Sequence, residues 1–349
     1  RHLEQDGVLV QWMQTYELNE PLFYTMVAAL IEEYPYVDAY LTNSADVIFV
    51  ASHTPIRDFD ASHLQAPGLH ADLKRLSLAT GAEHQVRRFA NRDVLAGLVE
   101  LYGAPVHTDF YPTVALGAPR ARYKQESVRS VMNLMGTGMP VLEFTGGRKP
   151  VSVASNVNEV LGSTGAVDHA NARRVRERML GIGAAKGLEP KVLAGLEALM
   201  SPKTSRADWL HAASVVADYS IGYLPPEDLQ GVWIQPQWVG ARAQDPEIAA
   251  VLAAYDATAK RDPVVMYRAG VAGLDVVPVS ASKLVRDHLL MIAMLGAIGQ
   301  GKGELAFALE EQRGAEVKVS NEYYGLARAY ISAWLYATGR VKTIRSPAS

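Results

Sequence analysis

The order of apolar runs in the first fifty residues constrains the fold more than any other feature of this 349-residue chain. Residues 8–12 form a short apolar run after a turn glycine, which is typical of a buried strand. Residues 20–34 carry a helical apolar periodicity, and Pro35 ends it. Two further runs, 37–41 and 47–51, are joined by a short polar turn and predict an antiparallel pair. The predicted order is therefore strand, helix, strand, turn, strand.

The chain between residues 53 and 125 is mixed in character. Residues 71–78 and 91–101 have helical patterns, and the second has Asn91 as a candidate cap and Gly103 as a stop signal. Residues 105–119 are interrupted by prolines, so we expect a structured loop there rather than a central strand.

From about residue 126 onward, alanine-rich helical segments are separated by Gly and Pro. Two helices are predicted to start alike, at Asp245-Pro246 and Asp262-Pro263, with Asp as the cap and Pro in the first turn. These starts lie 17 residues apart, half of a 34-residue helix-pair repeat. An array of helix hairpins of the tetratricopeptide kind and an irregular helical bundle both fit this pattern.

Composition excludes some functions and favours none. The chain has no cysteine, which excludes disulfides and thiolate metal sites, and its nine histidines show no metal-binding spacing. A net charge of -3 does not favour nucleic acid as a partner. The apolar run at 289–298 is shorter than the ~20 residues that span a bilayer. We expect a cytoplasmic protein, and since the chain starts at Arg1 we expect a longer parent, with an inner-membrane attachment left open.

Two segments carry a family resemblance. Residues 7–18, with the pattern G-x-x-x-Q-W and a following tyrosine, resemble the fifth-strand motif of bacterial spermidine synthase-like (polyamine aminopropyltransferase) proteins. The aromatic-proline pair Tyr34-Pro35 and the small residues Ala51-Ser52 resemble the segments that follow it in that family. About a hundred residues on, Thr108-Asp109 and Ala118-Pro119-Arg120 resemble a T-D-x-x-P…A-P-R segment of its longer members.

The resemblance implies a fold and a domain division. Residues 1–125 would be the carboxyl-terminal part of a Rossmann-like, methyltransferase-type α/β domain, and residues 126–349 a mostly α-helical domain. The family transfers an aminopropyl group from decarboxylated S-adenosylmethionine to a diamine. Its nucleoside-binding elements precede the strand at which this chain begins, so the resemblance assigns no catalytic residue, metal ligand or cofactor to this chain.

The resemblance also suggests substrate-binding residues. Gln11 occupies the position whose amide faces the diamine, and Gln14 and Tyr16 lie near the carboxyl end of the same strand, where ligands bind in such sheets. Asp109 either contacts a ligand or orders its own loop. The family commonly has other residues where this chain has His107, Phe110 and Ala115, and the last two stand where it has acids.

Two alternatives stay open at this stage: a methyltransferase-like protein that uses S-adenosylmethionine, and a non-catalytic helical scaffold with a protein partner on the helical domain. A homodimer is also compatible with the sequence. Trp233 and Trp238 would either anchor a partner or cap the core. The glycine-rich segments 181–187 and 299–303 are interpreted as turns between helices, and the arginines of 173–178 as a solvated face.

Overall fold

The structure, a computed structural model, describes residues 3–4, 6–43, 45–56, 61–76, 78–147, 149–152, 164–183 and 187–342. The Cα positions divide the chain into two compact units. Unit 1 comprises Arg1–Met135, Thr145–Val167 and Ala329–Ser349, and unit 2 comprises Gly136–Phe144 and Asp168–Arg328. Relative to the predicted division at 125/126, residues 126–135, 145–167 and 329–349 group with the sheet-containing unit.

The elements of unit 1 are four strands, β1 to β4, and helices α1 to α6. The strands are Val8–Gln14, Tyr36–Leu41, Asp46–Ser52 and Arg88–Asn91, and the helices are Glu20–Glu33, Leu69–Arg75, Gly81–Gln85, Arg92–Tyr102, Thr113–Tyr123 and Ser130–Met135. A short 3-10 turn, Ala61–Gln65, precedes α2. The helices that follow, α7 to α17, are Val141–Phe144, Thr164–Met179, Pro190–Met200, Arg206–Asp218, Pro226–Leu229, Pro236–Val239, Pro246–Ala259, Pro263–Val276, Lys283–Gly299, Gly303–Arg313 and Glu322–Ala337.

The sheet has the strand order β1-β3-β2-β4, with every neighbouring pair antiparallel. Strands β1 and β2 therefore run parallel to each other, with β3 inserted between them in the opposite direction. The predicted order strand, helix, strand, turn, strand is confirmed, and the chain is an α/β part followed by a mostly helical part. Strand β4 was not predicted.

Helix α1 covers one face of the sheet. Asn19 caps it, because the Asn19 side chain accepts a hydrogen bond from the backbone N–H of Leu22, as its sequence suggests. Phe23 packs on Phe49 of β3, with ring centroids 6.0 Å apart. Residues paired directly opposite one another share a face, so Gln11, which pairs with Phe49, lies on the α1 side of the sheet.

A β-bulge shapes β4. Tyr40 pairs with Arg88 but Ala39 pairs with Ala90, so Phe89 is the extra residue. The bulge turns Phe89 and Ala90 both into the core and leaves Arg88 and Asn91, three positions apart, less buried at its two ends. Asn91 then caps α4 by accepting from the N–H of Val94, and Gly103 ends the helix in the left-handed conformation, as predicted.

The loop predicted at 105–119 is shorter than expected. Helix α5 begins at Thr113 and includes Pro119, so the prediction was wrong for its second half. Tertiary packing compensates for the helix-breaking effect of Pro119. Gly117 lies so close to α1 that an added Cβ would be 2.6 Å from Leu22, and Ala121 is buried. Tertiary contact with α1 therefore keeps this segment helical.

Residues 329–349 belong to unit 1 because of close packing around Trp334. An added Cβ at Gly97 of α4 would lie 2.8 Å from the Cβ of Trp334. Tyr330 donates a hydrogen bond to Thr145 Oγ1 over 3.1 Å, and both residues are buried. These contacts join three separate parts of the chain into one unit.

Unit 2 is built around α15. Every residue from Val285 to Ile298 in this helix is buried. Glycines allow its backbone to approach α14 closely: an added Cβ at Gly270 would lie 2.7 Å from the backbone nitrogen of Ala293. Helices α13 and α14 start as predicted, with Asp245 and Asp262 accepting two backbone N–H groups each. A central helix buried on all sides favours the bundle over an open array.

None of the helices in the described part of the chain combines the length and apolar character needed to cross a membrane.

Candidate functional site

Gln11 lies on an open edge of the sheet. Strand β1 pairs only with β3, and its other edge has no strand partner among the described residues. Val10 is 62% exposed and Trp12 52%, although both belong to an apolar strand. The Gln11 amide donates to the carbonyl of Trp12 over 2.7 Å, while its oxygen accepts no hydrogen bond from described residues. That oxygen can accept from a cationic donor.

Gln14 and Tyr16 lie together where β1 ends. The Gln14 amide donates to the Tyr16 carbonyl over 3.2 Å. Tyr16 forms an isolated antiparallel bridge with Ser127, and the backbone N–H of Val128 donates to the Thr15 carbonyl over 2.7 Å. The segment before α6 therefore holds the carboxyl end of β1 in place, and the Tyr16 side chain stays exposed.

Asp109 lies in an exposed loop beside α1. The N–H of His107 donates to the Thr25 carbonyl over 3.2 Å, which ties the loop to that helix. The turn is ordered by Thr108, whose side-chain oxygen accepts from the N–H of Tyr111 over 3.2 Å. Among the described residues, no hydrogen bond or ion pair joins Asp109 to Gln11, Gln14 or Tyr16. Gln11 and Gln14 thus share one strand, Tyr16 lies two residues beyond its end, and Asp109 lies apart.

A cavity of about 1360 Å³ lies within unit 1, on the face of the sheet that α1 does not cover. Its floor is the outward face of β2 and β3, which includes Tyr36, Tyr40, Ile48 and Val50. Residues of α3 and of the segments before it, with Lys149 and Val151, complete the wall. The floor is therefore largely apolar, with a tyrosine on either side of Asp38.

The cavity is basic where β4 and α4 line it. Arg87 and Arg88 lie at the start of β4, Arg92 opens α4, and Lys149 adds a fourth cation against the carboxylates of Asp38 and Asp93. The bulge in β4 explains why Arg88 and Asn91 line the same cavity. The sequence did not indicate that these residues form a site, because they come from distant segments. Asp38 and Lys149 are more than a hundred positions apart.

These cations differ in how they are partnered. Arg88 forms a 2.6 Å ion pair with Asp38 and also donates to the Gly147 carbonyl. Arg92 donates to the carbonyl of Ile31, near the end of α1, over 2.9 Å. Arg87 is 6% exposed and donates to the carbonyls of Thr42 (2.7 Å) and Leu76 (3.1 Å), but its Nε has no hydrogen-bond partner in the described chain. Burial lowers the pKa of Arg87 from its ordinary value.

A second polar cluster lies in the core of unit 2. His288 lies between Tyr255, whose hydroxyl is 2.8 Å from Nδ1, and Asp218, whose Oδ1 is 3.0 Å from Nε2. Tyr324 donates to the same Asp218 oxygen. We assign the Nε2–H tautomer to His288, because Nδ1 then accepts from Tyr255 while Nε2–H donates to Asp218. Burial, and secondly Asp218, raise the pKa values of Tyr255 and Tyr324 well above 10.

The cluster in unit 2 joins helices rather than forming an open site. Its members come from α10, α13, α15 and α17, and only Asp218 has a side chain that solvent reaches appreciably. Each hydroxyl and ring nitrogen already has a partner within the cluster. Its hydrogen bonds therefore hold the bundle together.

The remaining sequence candidates have structural positions. Trp233 and Trp238 are buried and pack edge to face. Of the two roles predicted for them, capping the core therefore fits and anchoring a partner does not. The segment 299–303 connects α15 to α16, as a turn between helices should. Residues 184–186 of the other glycine-rich segment lie outside the described residues. Within the described chain, no group of His, Asp and Glu side chains converges as a metal site does.

Comparison with protein-family models, with curated proteins and with solved structures found no match to this chain. The resemblance to spermidine synthase-like proteins therefore stays a prediction that depends on the motifs.

Proposed function

We propose that unit 1 contains the end of the sheet of an aminopropyltransferase-like protein, in which decarboxylated S-adenosylmethionine and a diamine are the substrates. The observation that carries this proposal is the strand order β1-β3-β2, in which the last strand is inserted antiparallel between two parallel ones. The final three strands of a methyltransferase-type sheet have this order. The motifs that resemble the family lie on the matching elements.

The open edge of β1 supports the same proposal. In a doubly covered α/β sheet the interior strands are apolar on both faces. Strand β1 has such a sequence, yet Val8, Val10 and Trp12 are exposed here. A further strand would pair the backbone groups at this edge, and a helix on the face that α1 does not cover would bury these side chains. The strand's sequence is thus suited to an interior position.

Gln11 is the residue of this chain to which we assign contact with the diamine. Its amide oxygen is free to accept a hydrogen bond from an ammonium group, and its Nε2 is fixed by the Trp12 carbonyl. Gln14 and Tyr16 follow at the carboxyl end of the strand, where open α/β sheets bind ligands. Catalysis of the transfer belongs to groups outside these residues.

Calorimetric titration of the full-length gene product with methylthioadenosine and with putrescine tests the proposal. We expect both to bind, and Gln11→Ala to weaken putrescine about tenfold, because one hydrogen bond to a charged group is lost. Methylthioadenosine should bind the variant unchanged.

Gln312→Ala is the matched control, because Gln312 is an exposed residue of α16 with no described hydrogen bond. Absence of heat from both ligands would contradict the polyamine assignment. Equal weakening of both ligands by Gln11→Ala would contradict the role of Gln11. Binding of S-adenosylmethionine in preference to methylthioadenosine would favour the methyltransferase alternative.

A further inference from the structure

The cavity in unit 1 has the size and lining of a site for an organic molecule. Its volume of about 1360 Å³ is well above that of an ion site, and organic ligands commonly occupy ~300–1,000 Å³. Tyr36 and Tyr40 offer aromatic surface on β2, and Ile48 and Val50 continue that surface on β3. A flat apolar group fits against such a floor.

The charged residues that line the cavity favour an anionic ligand. Arg87, Arg88, Arg92 and Lys149 outnumber the two carboxylates that line it. Asp38 is already paired with Arg88, so it neutralises only that cation. A cationic ligand, such as a diamine, would meet net repulsion here, whereas an anion would be attracted.

Arg87 is the strongest single indication of a missing anion. A buried charge without a counter-ion is costly, and proteins rarely keep one without a use. Glu83 attracts Arg87 electrostatically, but within the described chain no carboxylate forms an ion pair with Arg87, and its buried Nε has no acceptor. Its two carbonyl contacts, with Thr42 and Leu76, fix the side chain at the cavity wall. The guanidinium is therefore held in position before any ligand arrives.

We propose that this cavity binds a small organic anion, with a flat apolar body on the tyrosine side and a carboxylate, phosphate or sulfonate group held by Arg87 and Lys149. This site lies on the face of the sheet opposite Gln11, and it does not depend on the function proposed above. A bidentate guanidinium contact suits all three anionic groups.

Fluorescence titration with two probes tests the proposal. One probe, 8-anilinonaphthalene-1-sulfonate, has an aromatic body and one sulfonate; the other, N-phenyl-1-naphthylamine, has the same body without the charge. We expect one sulfonate probe per chain and a dissociation constant about tenfold below that of the neutral probe, because a charge-assisted hydrogen bond is gained. Equal affinity for both probes would overturn the proposal.

Variants locate the binding site. Arg87→Met should weaken the sulfonate probe about tenfold and leave the neutral probe unchanged. Lys149 is exposed and has no described partner that the fold needs, so Lys149→Met stays folded and should weaken the sulfonate probe about threefold. Lys124→Met makes the same change in unit 1 away from the cavity and should have no effect. If Lys149→Met bound the sulfonate probe as tightly as Lys124→Met, the probe would bind elsewhere, and the assignment would be refuted.

Discussion

Two buried arginines, one in each unit, differ in how their charge is compensated. In unit 2, Arg328 contacts Glu310 and Asp287. In unit 1, Arg87 donates hydrogen bonds only to neutral carbonyls among its described partners, and Glu83 attracts it without forming an ion pair. The contrast belongs to these two residues and not to the units as wholes, because Arg286 is also buried in unit 2, lies 4.0 Å from Glu316 and has an Nε with no described partner.

The two units also differ in how completely their helices and strands are buried. The central helix α15 of unit 2 is buried from Val285 to Ile298. Strand β1 of unit 1 keeps an open edge with exposed apolar side chains. We infer that the buried cluster around His288 in unit 2 serves folding, and that the open edge of β1 in unit 1 is available for binding.

Arg328→Met should give the largest effect, because it breaks the most complete ionic cluster of unit 2. The guanidinium makes hydrogen bonds of 2.7 to 3.0 Å to Glu310 and of 2.8 Å to the carbonyls of Gly314 and Val317. Its removal leaves largely buried carboxylates without a cationic partner, so we expect a loss of about 3–5 kcal/mol in the free energy of unfolding. Urea denaturation followed by circular dichroism measures this loss.

Lys260→Met is the control for that experiment. Lys260 forms an exposed pair with Asp256, four residues earlier on α13, and its loss should cost no more than about 0.5 kcal/mol. If both variants changed the free energy of unfolding equally, the buried ion pairs of unit 2 would stabilise the fold no more than an exposed pair does.

Gly296→Ala tests the close packing of α14 against α15. An added Cβ at Gly296 would overlap the backbone nitrogen of Tyr267 and lie 2.8 Å from the Pro263 carbonyl oxygen, and backbone atoms cannot rotate away. We expect destabilisation by about 2–3 kcal/mol, measured by the same denaturation. Gly325→Ala, on α17, meets only the Val319 side chain at 3.3 Å and should be neutral or slightly stabilising. A neutral Gly296→Ala would mean that these helices are not in backbone contact.

Alkaline pH should weaken the bundle through its buried tyrosines. Burial raises the pKa values of Tyr255 and Tyr324 well above 10, so these hydroxyls stay protonated in the folded state. Below pH 10 their contribution to stability is complete. Above pH 10 the unfolded state loses these protons and the folded state does not, so each tyrosine lowers stability by about 1.4 kcal/mol per pH unit.

Tyr324→Phe isolates one of these contributions. Denaturation at a series of pH values above 10 should give a shallower slope for the variant, by about 1.4 kcal/mol per pH unit. Its lower stability at neutral pH, from the lost hydrogen bond to Asp218, does not enter the slope. Tyr123→Phe, where the ring is 90% exposed, is the control and should keep the slope of the unaltered protein. An unchanged slope for Tyr324→Phe would contradict a protonated, buried Tyr324.

The sequence predicts the local features of this fold well. The caps at Asn91, Asp245 and Asp262 were predicted because a cap depends on a side chain and on a backbone N–H two or three residues away. The strand order in the first fifty residues follows from apolar runs and turns, which are equally local. Such features need no knowledge of distant contacts.

Non-local features were not predictable in the same way. Strand β4 is four residues long and pairs with a strand almost fifty positions earlier, so its sequence has no strand periodicity to detect. In the sequence Arg88 resembles an ordinary surface charge, and only the bulge in β4 explains why Arg88 and Asn91 both line the cavity. The roles predicted for Gln11, Gln14, Tyr16 and Asp109 stay predictions.

Arg87→Met should have the smallest effect on stability, and it compares directly with Arg328→Met. The variant loses hydrogen bonds to the Thr42 and Leu76 carbonyls but also removes a buried charge that forms no ion pair within the described chain, although Glu83 attracts it. These contributions oppose each other, so we expect a change within about 1 kcal/mol. Arg75→Met, an exposed position paired with Asp72, is the control for loss of an arginine. Saturating 8-anilinonaphthalene-1-sulfonate should raise the melting temperature of the parent and not that of Arg87→Met, because a ligand stabilises only the state that binds it. If Arg87→Met cost as much as Arg328→Met, Arg87 would be part of the folding core, and the contrast between the two arginines would fail.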